Sequence, residues 1–452
     1  MIFIFSADGG SMNTTQLDNG QPSGCPFSKP KDFIPWAPEF VQNPYPTFKW
    51  LRSLGPVAYS EAMDYWVVNS RDAIKEILMD EERFSANLML STMTKWPEDV
   101  ARELAAVIPD RPMLKDLDGE PHEKARRFLR FAFTPRRLEW IREDVERIAD
   151  DCLDSLFADG DGSGDIVRRF TDIAPIRVLM KFLGIPDDMG EQIRAWSHNR
   201  EDMLQGNLTE EELRAGVQPL KDYYAYARQR IEELEANPGD DYMSEVIQLW
   251  KEEQPDNVVW DDVLNILMSL MNAGHATTSD LFGNGLWALL THREQWDKLC
   301  ADPDLVPEAI EEMLRWETSV PAWRRRALVD LEIEGHHIPA GSKMFLLLGS
   351  GNRDESVVSD GELFDIERTD GRQYLTFSAG AHYCLGQSLA KLELNTFFRR
   401  LVARYPQLEL REGYVPDYRV NAFHRGPNSL PVELGPEPLV AGAGAFVERD
   451  AR

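Results

Sequence analysis

FSAGAHYCLGQSLAKLELN, residues 377–395, places one cysteine behind a glycine-containing loop and directly ahead of an amphipathic segment. Leu385, Leu389, Leu392, Phe397 and Leu401 fall on one side of a 3.6-residue period, which predicts a helix over 385–405 with an interior face. Backbone N–H groups at the start of such a helix favour a thiolate on Cys384. A thiolate held there is a soft axial ligand for haem iron. Gly380 and Gly386 let the backbone pass close to a flat cofactor, Phe377 can pack beside the sulfur, and His382 can donate to a propionate.

Upstream, NVVWDDVLNILMSLMNAGHATTSDLFGNGLWALLTHR, residues 257–293, spans ~50 Å if wholly helical at 1.5 Å per residue. Its first half is apolar enough to be central. AGHATTS, Gly283 and Gly285 put poor helix formers in its interior at ~1 kcal/mol per glycine, which points to close approach of a ligand. Residues 120–237 are dominated by helix formers, with turns at GDGSGD and GIPDD. Strand-like runs at 57–60 and 65–68 predict a hairpin, followed by a helix with Ser70 as N-cap. Residues 327–348 read as short strands, and LELREG and SLPVELG form a small C-terminal sheet. The fold class is mainly α with a smaller β-rich lobe. Residues 1–35 read as a flexible leader whose order depends on docking, and 434–452 as a C-terminal tail.

The 452 residues carry 49 Lys and Arg against 77 Asp and Glu, a formal charge of -28. That balance disfavours long-range attraction to nucleic acid or an anionic membrane. The apolar start, Met1 to Phe5, is far short of the ~20 residues of a membrane helix and lacks the basic flank of a signal peptide, so the expected location is cytoplasmic with no membrane anchor. Cys25, Cys152, Cys300 and Cys384 include no CxxC pair, so neither a disulfide framework nor a zinc knuckle is indicated. The acidic whole has one basic stretch, KARRFLRFAFTPRRLEWIR, residues 124–142.

In these residues the chain resembles the cytochrome P450 family. Phe377, Gly380, His382, Cys384 and Gly386 meet every specified position of the family's FxxGxHxCxG motif, and Glu312 with Arg315 meets its ExxR motif. ExxR spacing alone puts both side chains on one helix face. The resemblance runs from about residue 41 to 433 and implies a cytochrome P450 fold with one catalytic domain over 36–433. It implies haem b (iron protoporphyrin IX) with Cys384 as axial thiolate, and the pair Glu312 and Arg315 in a buried network with NRD (352–354) and FDIER (364–368). His122 and Arg126 in DGEPHEKARR match an HxxxR pattern, and Arg325 in RRALVD matches RxAxxD. These three are implied propionate donors, with Arg324 and Arg326 one residue away as competitors.

The family's oxygen-side motif maps onto Ala273 to Thr278. Ala273 borders the cofactor, and Thr277 with Thr278 are the catalytic alcohols implied by the match. Ala276 departs from the pattern: it occupies the position of the usual Glu or Asp and relays no proton. A water chain, a substrate group, His275 or Asp280 are the replacements left open. By resemblance, Met89, Leu90, Met93, Trp96, Leu270, Val320 and Trp323 line the substrate pocket, whose chemistry favours a largely apolar ligand. The implied function is a monooxygenase, an oxidoreductase inserting one oxygen atom from O2 into a small organic substrate. Electrons come from a ferredoxin and its NAD(P)H-dependent ferredoxin reductase, docking on 124–142, to a monomer active in secondary metabolism. A peroxide-using peroxygenase, an oxidative demethylase, a carbon-carbon coupling enzyme and a non-catalytic haem protein are the alternatives.

Overall fold

The computed structural model describes residues 24–435 apart from 89–90, 131–132 and 255–257. The pocket residues Met89 and Leu90 therefore lie outside the described residues. Helices dominate, and the strands gather into a five-stranded, a three-stranded and a two-stranded sheet.

The five-stranded sheet runs Val57–Ser60, Tyr65–Val68, Lys343–Leu346, Trp323–Ala327, Phe84–Ser85. The first two form the hairpin read from the sequence, with Ser60 opposite Tyr65. Lys343–Leu346 pairs parallel with Tyr65–Val68 and antiparallel with Trp323–Ala327, where Arg325 lies opposite Met344. Because side chains alternate along a strand, Arg325 points to one face and Arg324 and Arg326 to the other. The C-terminal sheet has a third strand that sequence reading took for a turn: Ser163–Asp165 pairs with Pro431–Leu434, whose other edge holds Leu408–Leu410. A three-residue strand with Gly162 ahead of it and Gly164 in its middle carries too little apolar periodicity to announce itself. Within the expected leader, Phe27 and Phe33 are buried, packing edge-on at 5.4 Å and against Phe40.

The long central segment is two helices, Trp260–Ala273 and Ala276–Thr291, rather than one. His275 leaves helical geometry at φ -130°, ψ -53°. Side chains take up carbonyls at the break: Asn272 donates to Met268 O, Thr277 Oγ1 to Ala273 O at 3.3 Å, and His275 Nδ1 lies 3.0 Å from Met271 O. A Cβ on Gly274 would meet Leu179 Cδ1 at 2.7 Å, so close helix packing fixes that glycine. Packing also accounts for Gly283 and Gly285, expected to face a ligand. They lie against Pro427 and Met313, where a Cβ would come within 3.1 Å and 2.6 Å.

Ser70 occupies the N-cap of the helix Arg71–Met79 as expected, but makes no side-chain cap bond. The helix after Cys384 starts at Gln387, with Gly386 as N-cap, and ends at Arg404. It buries Leu389, Phe397, Phe398 and Leu401, and Phe398 stacks on Phe282 of the central helix at 4.5 Å. Leu385 and Leu392 are only partly buried at the edge of the core.

Between these helices lies a buried ionic anchor. Arg315 and Glu312, on the helix Val306–Trp316, pair through two bonds of 2.7 Å with 1% and 4% of their side chains exposed. Arg315 also donates to Gly361 O and Leu363 O, and Glu312 accepts from Asp365 N and Arg368 Nε. Arg353 donates to Trp316 O and Glu362. The 352–368 segment is thus tied to one helix by charge-assisted bonds, whose partners offset the cost of burying the ions.

Candidate functional site

The anchor continues into the Cys384 loop. Asn352 Nδ2 donates to Thr376 Oγ1 at 2.9 Å, Leu375 N donates to Asn352 Oδ1 at 2.6 Å, and Thr376 Oγ1 donates to Leu314 O. The next residue, Phe377, accepts from Cys384 N at 2.9 Å, closing the loop. Gly380 has φ +66°, and a Cβ there would sit 2.4 Å from Leu78 O. Close approach of the neighbouring backbone, together with the left-handed turn, therefore requires this glycine. Gly386 has ordinary room, 3.9 Å from the Cys384 sulfur.

Cys384 is exposed by surface area, yet burial is the largest influence on its thiol and pushes it up. Its accessible side consequently opens onto interior space. The backbone N–H groups of Gly386 and Gln387 and the Arg126 guanidinium pull the thiol back toward the thiolate, but burial outweighs them in the chain alone.

Next to this loop, four donor side chains from three segments converge. The His122 and His382 rings stack with centroids 3.9 Å apart. Arg126 donates to Tyr383 O at 2.7 Å, and Arg325 Nη1 to Arg324 O at 2.8 Å. Both nitrogens of His122, Nε2 of His382, Nε of Arg126 and Nη2 of Arg325 are buried with no hydrogen-bond partner. Burial, with the surrounding arginine charges, pushes the His122 imidazole down to about 4 and the His382 imidazole to about 2, while burial lowers Arg325 to about 10. Glu81, unforeseen from the sequence, joins the two histidines, with ligand atoms all within 4.8 Å, and burial raises its carboxyl.

Buried polar groups in a folded chain are nearly always bonded, so leftover donors clustered together call for an acceptor from outside the chain. Two arginines beside two imidazoles repel a bare cation and fit an anion carrying several oxygens, such as a pair of carboxylates. The cluster is haem-binding-like: its donor set suits the propionates of haem. Arg324, the competitor for Arg325, goes to the other face of the sheet, where its guanidinium lies 4.9 Å from the Phe423 ring and Nη1 is 3.2 Å from Met93 Sδ.

On the opposite side of the interior space are Ala273, which is exposed, Thr277, half-buried, and Leu270, partly buried. Thr278, by contrast, is only 5% exposed, and its N–H closes on His275 O. Ala276 is buried. His275 is buried too, with its ring 6.1 Å from that of His198. Among the pocket residues, Met93 N donates to Leu204 O and Trp96 Nε1 to Met203 O, fixing that loop under the helix Gly190–Gln205. Val320 and Trp323 pack on the sheet side.

Asp280, one turn beyond Ala276, leaves no room for a Cβ on Gly426 and lies 3.9 Å from His424 Nδ1, and burial pushes its carboxyl up to about 7. His424 in turn is 3.6 Å from Glu201. No sequence signal announced this group, since its members stand on separate elements. The basic stretch 124–142 is partly neutralised: Arg127 pairs with Glu253, Arg137 with Glu245 and Arg142 with Glu139, leaving Lys124, Arg130 and Arg136 exposed.

A cytochrome P450 family profile matches residues 58–418. The chain is 32% identical over 416 residues to the polyketide biosynthesis cytochrome P450 PksS of Bacillus subtilis, covering 89% of this chain and 98% of that protein. Among solved structures it is similar to cytochrome P450 CREJ in complex with (4-ethylphenyl) dihydrogen phosphate, at TM-score 0.83 and 31% identity over 87% of this chain and 98% of that one. The Acinetobacter radioresistens CYP116B5 heme domain superposes with TM-score 0.85 at 31% identity, covering 90% of this chain and 98% of that one.

Proposed function

The chain belongs to the cytochrome P450 family, and from that membership we propose that Cys384 supplies the axial thiolate to haem b, held by propionate bonds to His122, Arg126, Arg325 and His382. It is a haem-thiolate oxidoreductase, a monooxygenase that inserts oxygen from O2 into a small, largely apolar organic substrate with electrons from separate proteins. The bound group supplies oxygen activation, which thiolate donation favours. The observation that carries the assignment is the convergence of leftover buried donors beside the Cys384 loop.

Each chain residue then has a task. The 352–376 hydrogen bonds hold the Cys384 loop in place, and the N–H groups of Gly386 and Gln387 donate to the Cys384 sulfur and favour its thiolate. Thr277, with its hydroxyl one rotation from its bond to Ala273 O, holds a proton donor at the oxygen side. Thr278, enclosed by its own helix, shapes the backbone rather than meeting oxygen. The catalytic unit is residues 36–433, placed in the cytoplasm. Among the described residues no helix is long and apolar enough to cross a membrane. An acidic ferredoxin, reduced by an NAD(P)H-dependent reductase, docks on Lys124, Arg130 and Arg136, which are exposed on the 124–142 stretch. Similarity to a polyketide biosynthesis enzyme supports a role in specialised metabolism.

The test is the absorption spectrum of the reduced, carbon-monoxide-bound protein. Thiolate ligation gives a band distinct from that of neutral thiol or imidazole ligation, and Cys384→Ser abolishes it. A wild-type spectrum of the neutral type, or an unchanged variant, overturns the assignment. The peroxygenase reading is favoured by Ala276, which leaves the oxygen side without its acid. Product yield with peroxide against yield with a complete donor chain separates the two.

A further inference from the structure

We propose that the substrate carries an anionic head group, a carboxylate or a phosphate monoester, bound by Lys115 and Arg200 between the turn at Leu114–Asp116 and the helix Gly190–Gln205. This rests on the monooxygenase reading above and narrows its substrate class.

Lys115 stands on the short turn Leu114–Asp116, and Arg200 on the helix Gly190–Gln205. Arg200 is 3% exposed, and among the described residues its guanidinium makes one hydrogen bond, from Nη2 to Met113 Sδ at 2.9 Å. A guanidinium has five N–H donors and a thioether is a weak acceptor, so most of this donor capacity is unspent. One turn earlier, Ser197 donates to Asn272 Oδ1 at 3.2 Å, which sets this helix face over the end of the helix that carries Ala273. Lys115, two residues past Met113, makes no hydrogen bond or ion pair with any described residue.

A third cation closes the group from the sheet. Arg324 donates to Met93 Sδ and Ser91 O, and Met93 N is bonded to Leu204 O on the Arg200 helix. The charge facing Lys115 most strongly is Arg200, ahead of Asp116 and Glu201, with Arg324 behind them. Glu201 is already engaged by Arg419 at 3.4 Å and by His424 at 3.6 Å. Among the described residues neither Lys115 nor Arg200 has an ion pair, and buried cations in that state are costly. An anionic ligand supplies the missing charge, and an arginine fork beside an ammonium suits carboxylate or phosphate oxygens. Burial together with Arg200 lowers the Lys115 ammonium to about 8, so anion binding weakens as pH rises through that value.

The test is equilibrium dialysis of the holoprotein with three probes sharing one apolar body: 4-ethylphenyl phosphate, 4-ethylbenzoate and neutral 4-ethylphenol. At least one anion binds about tenfold or more tightly than the phenol, and Lys115→Met and Arg200→Met each remove about that factor while leaving phenol binding unchanged. Preference for the phosphate over the benzoate assigns a phosphate monoester, and the reverse assigns a carboxylate. Benzoate affinity falls between pH about 7 and about 9 in the wild type and not in Lys115→Met. Equal binding of all three probes, or an anion preference that survives in Lys115→Met, overturns the proposal. Should Arg200→Met fail to fold, Lys115→Met decides alone. Loss of the thiolate spectrum with the anion preference intact would sink the haem-thiolate reading instead, so the two failures are distinguishable.

Discussion

Around Glu312 and Arg315, each guanidinium nitrogen donates to a carboxylate or carbonyl, and both carboxylate oxygens accept. Around His122 and His382, beside the Cys384 loop, buried donors are left over.

 His122 and Arg325 are buried as fully as Glu312 and Arg315, so burial alone does not tell the two clusters apart. What separates them is satisfaction: the first is a closed network that holds the chain together, and the second is completed only by something the chain binds.

The comparison breaks most visibly at the closed network. Glu312→Ala leaves Arg315 buried without its carboxylate, a loss of ~3–5 kcal/mol that shows as a lowered denaturation midpoint, with haem uptake lost alongside. A smaller and opposite signature belongs to the open cluster. The double variant His122→Ala with His382→Ala leaves the denaturation midpoint of the haem-free chain unchanged or raised, while haem retention against a competing apoprotein falls about 10- to 100-fold. If the midpoint instead drops as far as in Glu312→Ala, the cluster is structural.

The smallest effect is a pH dependence. In the chain alone, burial and then the Arg126 charge lower the His122 imidazole from 6.5 to about 4. Between those values the unfolded chain binds more protons than the folded one, so stability is level above about 6.5 and falls as pH drops toward about 4. His122→Phe flattens this part of the slope in urea titrations. A bound dicarboxylate opposes the shift, so the haem-loaded protein loses less stability over the same window.

Much of this architecture was legible in the sequence, for local reasons. Glu312 and Arg315 share a helix face by spacing alone, the hairpin at 57–68 alternates as strands do, and Cys384 stands three residues ahead of its helix. Other features were hidden because they depend on distant neighbours. Gly283 and Gly285 looked like a ligand contact until Pro427 and Met313 took their place. The poor helix formers at AGHATTS were read as close approach of a ligand, whereas the helix break at 274–275 follows from Leu179 packing on Gly274 and from the side chains that cap its carbonyls. An apolar pocket was expected, and the Lys115 and Arg200 pair is invisible in a sequence that separates them by more than eighty positions.

By itself the sequence determined the family, the cysteine loop and the anchoring ion pair, since turn glycines, helical spacing and strand alternation act over a few residues. Only the tertiary structure decided which of three consecutive arginines faces the histidines and which buried donors remain unspent. Strand register sets the face on which Arg325 projects, and the free energy of a buried charge depends on the partners that other parts of the chain bring to it.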